Sequence, residues 1–345
     1  MIVLTQMTNP TTTVETTKTT QRIRMYREAL NEAIAAEMRR DKTVFVMGCG
    51  IANRGGSYKV TENLLKEFGR DRVIDTPLAE AGFTGMGIGA ALTGMRPIVE
   101  VLYVDFAMLC MEILINHAAK YKLMTGGQAR VPLVFRTQGG VGNGVAAQHS
   151  QSLEQLFYHI PGLRLVMPST PYDAKGLLIE AIRMDEPVVF MEHKLLYMDK
   201  GEVPEGPYTI PFGKGIIRRE GRDLTIIAWS KMVPRCLEAA EALASMGIEA
   251  EVVDPRTLVP LDEDLLIQSV QKTEHVLIVQ EAIRRGGVAS DIASIIQSKA
   301  FDYLDAPIEI LAGMNCPAPF NLNLEKCILP QQEDIIASAK KAVGK

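Results

Sequence analysis

The sequence lacks paired-cysteine spacings, clusters of basic residues and long apolar runs. Net charge is −4 and no basic patch stands out, so a nucleic acid is not an expected partner. No apolar run reaches the length of a membrane span, and no membrane association is predicted. No Cys-x-x-Cys pair is present, which argues against a zinc knuckle or a disulfide framework and predicts reduced thiols at Cys49, Cys110, Cys236, Cys316 and Cys327.

The N-terminal segment is polar and rich in threonine. It lacks the apolar core of a secretory signal, and residues 1–22 are predicted to form a disordered tail. With the reduced thiols, this predicts a cytoplasmic protein. A mitochondrial presequence is the weaker alternative, because the segment has no arginine-rich amphipathic pattern.

Strands and helices alternate along most of the chain. The length of 345 residues suggests about two domains. Apolar strands between amphipathic helices are typical of parallel sheets covered on both faces, so two doubly wound α/β domains are predicted. A segment rich in Pro, Gly and charge separates them, which gives a first domain over 23–200, a linker over 201–214 and a second domain over 215–345.

In the first domain, strands are predicted at 44–47, 73–74, 97–101, 132–135, 164–167 and 187–191. Helices are predicted at 25–40, 61–68, 80–93 and 107–123, near 153 and from 173 onward. In the second domain, strands are predicted at 224–228, 251–253 and 275–279, and helices at 232–246, 262–272 and 288–298.

The helix predicted at 80–93 contains a GxGxxA match beginning at Gly85, with Glu100 on the next strand, as a dinucleotide-binding fold requires. In that fold the glycines follow a strand directly, whereas the strand here ends near Asp75. The glycines recur at helical spacing, which favours close packing of the helix against a neighbour. Nicotinamide binding is the weaker interpretation.

Two candidate catalytic residues are ambiguous on spacing alone. Glu80 begins a predicted helix, where a carboxylate also complements the helix dipole. His149 lies in a glycine-rich loop after a strand, a common place for catalytic groups but also for a plain turn. None of the five histidines has metal-ligand spacing on a helix.

From about Arg24 onward the chain resembles the beta subunits of thiamine-dependent 2-oxo acid and acetoin dehydrogenase complexes. The resemblance implies a transketolase-like pyrimidine-binding fold followed by a transketolase C-terminal domain. The matching stretches are Asp75-Thr-Pro-Leu-Ala-Glu80-Ala-Gly82, Gly94-Met-Arg-Pro-Ile-Val-Glu100, Ala146-Ala-Gln-His149-Ser-Gln151, Pro161 to Ser169, Tyr172 to Leu178, Glu192-His-Lys-Leu-Leu-Tyr197 and Asp254 to Asp262.

The resemblance implies roles for individual residues. Glu80 matches the glutamate that hydrogen-bonds the aminopyrimidine ring of thiamine diphosphate, and Phe106 matches the aromatic residue packed on that ring. His149 matches the histidine beside the reactive carbon. The family also binds potassium through backbone carbonyls, which match Leu133, Ala181, Ile182, Met184 and Glu186.

The resemblance also implies partners. The chain has no Gly-Asp-Gly…Asn run for Mg²⁺ and diphosphate, so an alpha subunit is expected to supply that half of the site in an α2β2 heterotetramer docked to a lipoyl acyltransferase core. The implied reaction cleaves a 2-oxo acid or acetoin and passes the acyl unit reductively to lipoamide. Alternatives are a split-subunit carboligase or ketol transferase without lipoamide, and a non-catalytic scaffold subunit.

One position departs from the family pattern. Relatives usually carry Gly-Glu-Asp or Gly-Glu-Glu after the first strand, and this chain has Gly48-Cys49-Gly50. A thiol with a reference pKa near 8.5 cannot replace a carboxylate as a proton relay at neutral pH. Communication between paired active sites, or the usual substrate geometry, is therefore expected to differ here. This departure is the main support for the carboligase alternative.

Overall fold

The apolar strands form two separate sheets in the computed structural model, which describes residues 22–345. The predicted tail lies outside the described residues except for Arg22. No helix within residues 22–345 is long and apolar enough to cross a membrane.

The strands are β1 (Arg22–Met25), β2 (Val44–Gly48), β3 (Val73–Asp75), β4 (Arg96–Val101), β5 (Val134–Gly139), β6 (Arg164–Val166), β7 (Val188–His193), β8 (Lys200–Val203), β9 (Ile216–Arg219), β10 (Leu224–Ala228), β11 (Ala250–Asp254), β12 (Thr257–Val259), β13 (Val276–Ile283) and β14 (Glu309–Gly313).

The helices are α1 (Tyr26–Arg40), α2 (Leu64–Phe68), α3 (Glu80–Leu92), α4 (Tyr121–Met124), α5 (Glu154–Tyr158), α6 (Pro171–Arg183), α7 (Met232–Ala244), α8 (Glu263–Thr273), α9 (Val288–Ala300), α10 (Leu322–Cys327) and α11 (Gln332–Ala342).

The first sheet has seven strands in the order β12-β6-β7-β5-β4-β2-β3. All pairs are parallel except β12 with β6. Strands β2, β5 and β7 are buried along their whole length, as expected where helices cover both faces. Because parallel strands end at one edge, the loops after β2, β4, β5 and β7 meet there.

The second sheet has five strands in the order β14-β13-β10-β11-β9, and only β9 runs antiparallel to its neighbour. The doubly wound α/β fold class predicted from the sequence is confirmed. Two pairings join distant parts of the chain. Strand β12, from the second half, extends the first sheet, and β8, at the start of the predicted linker, pairs antiparallel with β1.

The helix predicted at 107–123 is broken into three pieces. Residues Val104–Cys110 form a 3₁₀ segment, Ile113–Ala118 a π-helical turn, and α4 follows. The tight first segment buries Val104, Asp105 and Ala107 but leaves Phe106 half-buried. The 3₁₀ segment therefore leaves the Phe106 ring partly open beside the carboxyl end of β4.

Candidate active site

Polar and aromatic side chains gather at the carboxyl edge of the first sheet. Tyr103 and Phe106 follow β4, and His149 lies on the loop between β5 and α5. His193 is the last residue of β7, and Lys194 comes directly after it.

His149 and Phe106 are in contact. Their ring centroids lie 5.2 Å apart at an interplanar angle of 77°, an edge-to-face arrangement. Tyr103 packs on His149 in the same manner, at 5.6 Å and 68°. Both His149 and Phe106 are half-buried, so each keeps part of its ring open to a ligand. The structure thus brings together two of the three residues expected at the site.

Glu80 occupies the first position of α3 and is half-buried. Its carboxylate has no hydrogen bond or ion pair with any residue of the described range 22–345. Helix α3 packs against the 3₁₀ segment that carries Phe106, but no hydrogen bond joins Glu80 to Phe106 or His149. A half-buried carboxylate without a partner is suited to a ligand's hydrogen-bond donor or proton.

A buried lysine supports the His149 loop. Lys194 is 4% exposed, and its Nζ donates to the carbonyl oxygens of Gly140, at 3.2 Å, and of His149. The same Nζ lies 4.5 Å from the ring centroid of Tyr103, in a cation–π contact. In the sequence, Lys194 was notable only as part of a stretch that matches the family.

Glu281 of the second domain contacts residues at the carboxyl edge of the first sheet. His193 Nδ1 accepts the Leu195 N–H, so His193 donates from Nε2 to Glu281 Oε2 at 2.8 Å. Glu281 Oε1 accepts from the Val141 N–H and the Ser152 hydroxyl. Burial raises the pKa of Glu281, but the interaction with His193 and these two hydrogen bonds outweigh it and lower the pKa to about 2. Glu281 is therefore ionised at neutral pH and fixes the loop after β5.

A buried ionic cluster lies beneath the site. Arg136 donates to Glu192 at 2.6 and 2.7 Å and to Glu100 at 2.5 Å, and the Tyr197 hydroxyl also donates to Glu192 at 2.5 Å. Burial raises the pKa of Glu100; Arg136 opposes this shift and Glu192 adds to it. Each of three apolar strands carries a charged residue in its interior, namely Glu100, Arg136 and Glu192. Because charged residues are buried only when they are paired, this pattern could have predicted the cluster from the sequence.

Cys49 follows β2 at the same edge, half-buried and with a free thiol. The adjacent Gly48 lies opposite Glu100 in the sheet, and a Cβ on Gly48 would come within 2.7 Å of the Glu100 carbonyl oxygen. The backbone there admits only glycine.

The five carbonyls expected to bind potassium lie around the end of α6 and the start of β5. Those of Ile182 and Met184 both accept from Arg96 Nη1, at 3.1 and 2.9 Å, so they converge on one cation. The Leu133 carbonyl accepts the Val188 N–H. A carbonyl oxygen has two lone pairs, so these groups can take a second partner, and a helix C-terminus favours a cation.

Two family models match the chain. Residues 23–200 match the family described as "Transketolase, pyrimidine binding domain". Residues 213–335 match "Transketolase, C-terminal domain". The first match contains Glu80, Phe106 and His149, and the second contains Glu281.

Similar proteins cover nearly the same length. The chain is 49% identical over 315 residues to the pyruvate dehydrogenase E1 component subunit beta of Rickettsia felis, covering 91% of this chain and 97% of that protein. It is 47% identical over 329 residues to the acetoin:2,6-dichlorophenolindophenol oxidoreductase subunit beta of Bacillus subtilis, covering 92% and 96%.

A solved structure shares the fold. The protein described as a split gene transketolase in an inactive beta4 tetramer superposes with a TM-score of 0.74 and covers 92% of this chain and 98% of its own. Its sequence identity of 24% makes it evidence for the two-domain fold alone.

Proposed function

The chain belongs to the transketolase-like family that combines a pyrimidine-binding domain with a transketolase C-terminal domain, and we propose that it is the beta subunit of a thiamine diphosphate-dependent dehydrogenase. The observation that carries the proposal is the 47–49% identity, over more than nine-tenths of both chains, to beta subunits named for pyruvate and acetoin oxidation. The substrate would be a 2-oxo acid or acetoin. The acyl unit would pass to a lipoyl disulfide, which takes up two electrons and becomes a thioester and a thiol.

The open residues fit the aminopyrimidine half of the cofactor. The unpartnered Glu80 carboxyl would share a proton with a nitrogen of that ring, and the open face of Phe106 would pack on it. When bound, thiamine diphosphate would supply a nucleophilic carbon for chemistry at the substrate carbonyl. His149, packed on Phe106, would hold a proton near that carbonyl.

An alpha subunit is proposed as the partner that binds Mg²⁺ and the diphosphate. The names of the relatives, each a subunit beta, support it. The outer face of α3 supports it as well. Met86 on this helix is 65% exposed, and Leu78, two residues before the helix begins, is 79% exposed. An added Cβ would meet no atom within 4 Å at Gly89 and none closer than 3.8 Å at Gly82. Exposed apolar side chains beside small residues suit a closely packed subunit contact.

The α2β2 assembly, docking to a lipoyl acyltransferase core and a cytoplasmic location are further parts of the proposal. Potassium is another, bound by the carbonyls that converge near Arg96. Because Arg96 already places a guanidinium there, bound potassium would share those oxygens with it. An unfolding temperature of the complex that is equal in KCl and NaCl would argue against a potassium site.

Reconstitution tests the function. The chain is mixed with an alpha subunit carrying the Gly-Asp-Gly…Asn run, thiamine diphosphate and Mg²⁺, and reduction of 2,6-dichlorophenolindophenol is followed with pyruvate and with acetoin. We expect turnover only with both subunits. Calorimetry should show negligible binding of thiamine diphosphate to the isolated chain. Tight binding by the isolated chain would contradict the shared site, and consumption of substrate without dye reduction would favour the carboligase alternative.

A further inference from the structure

We propose that Lys194 is a positioning residue that fixes His149 against the aromatic side chains of the site. The inference rests on the proposed role of His149. Lys194 is one of the charged groups at the carboxyl edge of the first sheet that the proposed reaction does not otherwise use.

Three contacts carry the proposal. The Lys194 ammonium donates to the carbonyl oxygen of His149 itself and to that of Gly140, so it ties the start of the loop to its catalytic end. It also lies over the ring of Tyr103, and the Tyr103 ring in turn packs edge-to-face with the His149 imidazole. One cation thus restrains both the backbone of His149 and one of the two rings that pack on its side chain.

Each acidic group around Lys194 accepts a hydrogen bond from another residue. Asp105 accepts from Gln151, Glu281 accepts from His193, and Glu325 accepts from the Gly144 N–H. None of them forms an ion pair with Lys194 within residues 22–345. A buried cation without a carboxylate partner costs folding free energy. Its presence is better explained by the loop that it orders than by the stability of the domain.

Burial gives this residue a titration near neutral pH. Desolvation lowers the pKa of Lys194 to about 8, although Asp105, Glu281 and Glu325 oppose the shift, and Tyr103 and His149 face the same group. Below pH 8 the ammonium donates to both carbonyls. Above it the neutral amine is a weaker donor and has no cation–π attraction to Tyr103, so the loop loses its restraint.

The same domain offers a matched control. Lys175 is 2% exposed and lies 5.6 Å from the ring centroid of Tyr208, so its burial and its aromatic contact resemble those of Lys194. Its ammonium pairs with Glu32 at 3.0 Å and donates to the Pro204 carbonyl, and neither residue was assigned to the site. Lys175→Met therefore removes a buried lysine without touching His149.

The experiment uses the reconstituted complex with pyruvate or acetoin as substrate and the dye as acceptor. Lys194→Met should lower kcat roughly ten- to hundredfold, with KM changed less than about threefold, because misplacement of a catalytic group acts on the reacting geometry. Wild-type kcat should decline above pH 8. That decline should be absent in Lys194→Met and in Lys194→Arg, whose charge does not titrate there, and the arginine variant should regain part of the activity.

Lys175→Met should keep the wild-type pH profile. An alkaline decline that is missing in the wild type, or that persists in Lys194→Met, would overturn the proposal. The first of these results overturns it even if neither Lys194 variant assembles. If the wild-type complex shows no thiamine-dependent turnover with either substrate, the proposed function fails, which is a different result from unaltered kinetics in Lys194→Met.

Discussion

At the scale of single residues, the carboxylates near the carboxyl edge of the first sheet differ in what they contact. Glu100 and Glu192 share the buried Arg136, and Glu281 accepts three hydrogen bonds. Glu80 has no partner in the described part of the chain. The paired carboxylates are satisfied within the fold, whereas an unpaired one at a half-buried position is available to a ligand.

We expect Glu80→Gln to abolish turnover while leaving assembly intact. The amide is close in shape to the carboxyl group but cannot exchange a proton with the cofactor ring, so the loss should exceed about a hundredfold. The dye assay and size-exclusion chromatography of the complex measure the two effects. Glu238→Gln, an exposed change on α7, is the control and should be silent. A Glu80→Gln heterotetramer with substantial activity would refute the role of Glu80.

Sequence spacing alone did not identify the site residues. On spacing alone Glu80 was better interpreted as a helix-terminal carboxylate, and the loop that carries His149 could equally have been a plain turn. Only the family resemblance assigned the two residues roles. Lys194 and Glu281 were not proposed from the sequence. Their partners lie 45 and 88 residues away, at His149 and His193, and local patterns carry no signal of such contacts.

At the scale of elements, α3 illustrates what a glycine can mean in a helix. Gly87 faces the sheet, where an added Cβ would come within 2.6 Å of the Val99 side chain. Gly89 faces outward, with nothing within 4 Å. The GxGxxA match that begins at Gly85 spans both glycines, and the structure shows that only Gly87 is required by packing within this chain.

Gly87→Ala should therefore destabilise the isolated chain by about 1–3 kcal/mol, because the sheet must shift to admit the methyl group. Gly89→Ala should leave it unchanged or stabilise it by up to about 1 kcal/mol, as alanine favours the helix. Denaturant unfolding of both variants measures this difference. Equal free energies of unfolding for the two would show that Gly87 does not pack as described.

Most regular elements were predicted, whereas α11 and the irregular segments were not. Strand β10 was predicted at its observed bounds, and α3 differs by one residue at its end. The helix predicted at 107–123 was wrong as a continuous helix. Strands β1, β8, β9, β12 and β14 were not predicted, because short edge strands depend on partners elsewhere in the chain rather than on an internal apolar pattern.

At the scale of the whole molecule, polar contacts join the two domains. The Trp229 indole N–H of the second domain donates to Glu154 Oε1 of the first at 3.2 Å, and Glu154 is 1% exposed. Burial raises the pKa of Glu154 from 4.5 to about 7, although the hydrogen bond from Trp229 opposes the shift. Elsewhere in the interface, Arg218 pairs with both Asp173 and Asp254.

The raised pKa of Glu154 predicts a pH-dependent stability. Between pH 4.5 and 7 the folded state holds a proton at Glu154 that the unfolded state releases, so this contribution is fully present below pH 4.5 and is lost as pH rises through 7. Glu154→Gln should remove the loss. The variant should be roughly 2–3 kcal/mol more stable than wild type at pH 8 and similar at pH 5.

Urea unfolding followed by the fluorescence of Trp229, which is the single tryptophan, measures both free energies. The wild type and the variant are compared at each pH, so other titrating groups cancel. An equal difference between the two proteins at pH 5 and pH 8 would contradict a raised pKa at Glu154.

The sequence by itself determined the two α/β domains, most of their buried strands and the family, because apolar periodicity and contiguous motifs are local properties of the chain. The tertiary structure decided which side chains meet. It placed Lys194 under His149, paired His193 with Glu281 of the second domain, and added β12 to the first sheet. Such contacts depend on how distant segments pack, and their energies appear only when burial brings the groups together.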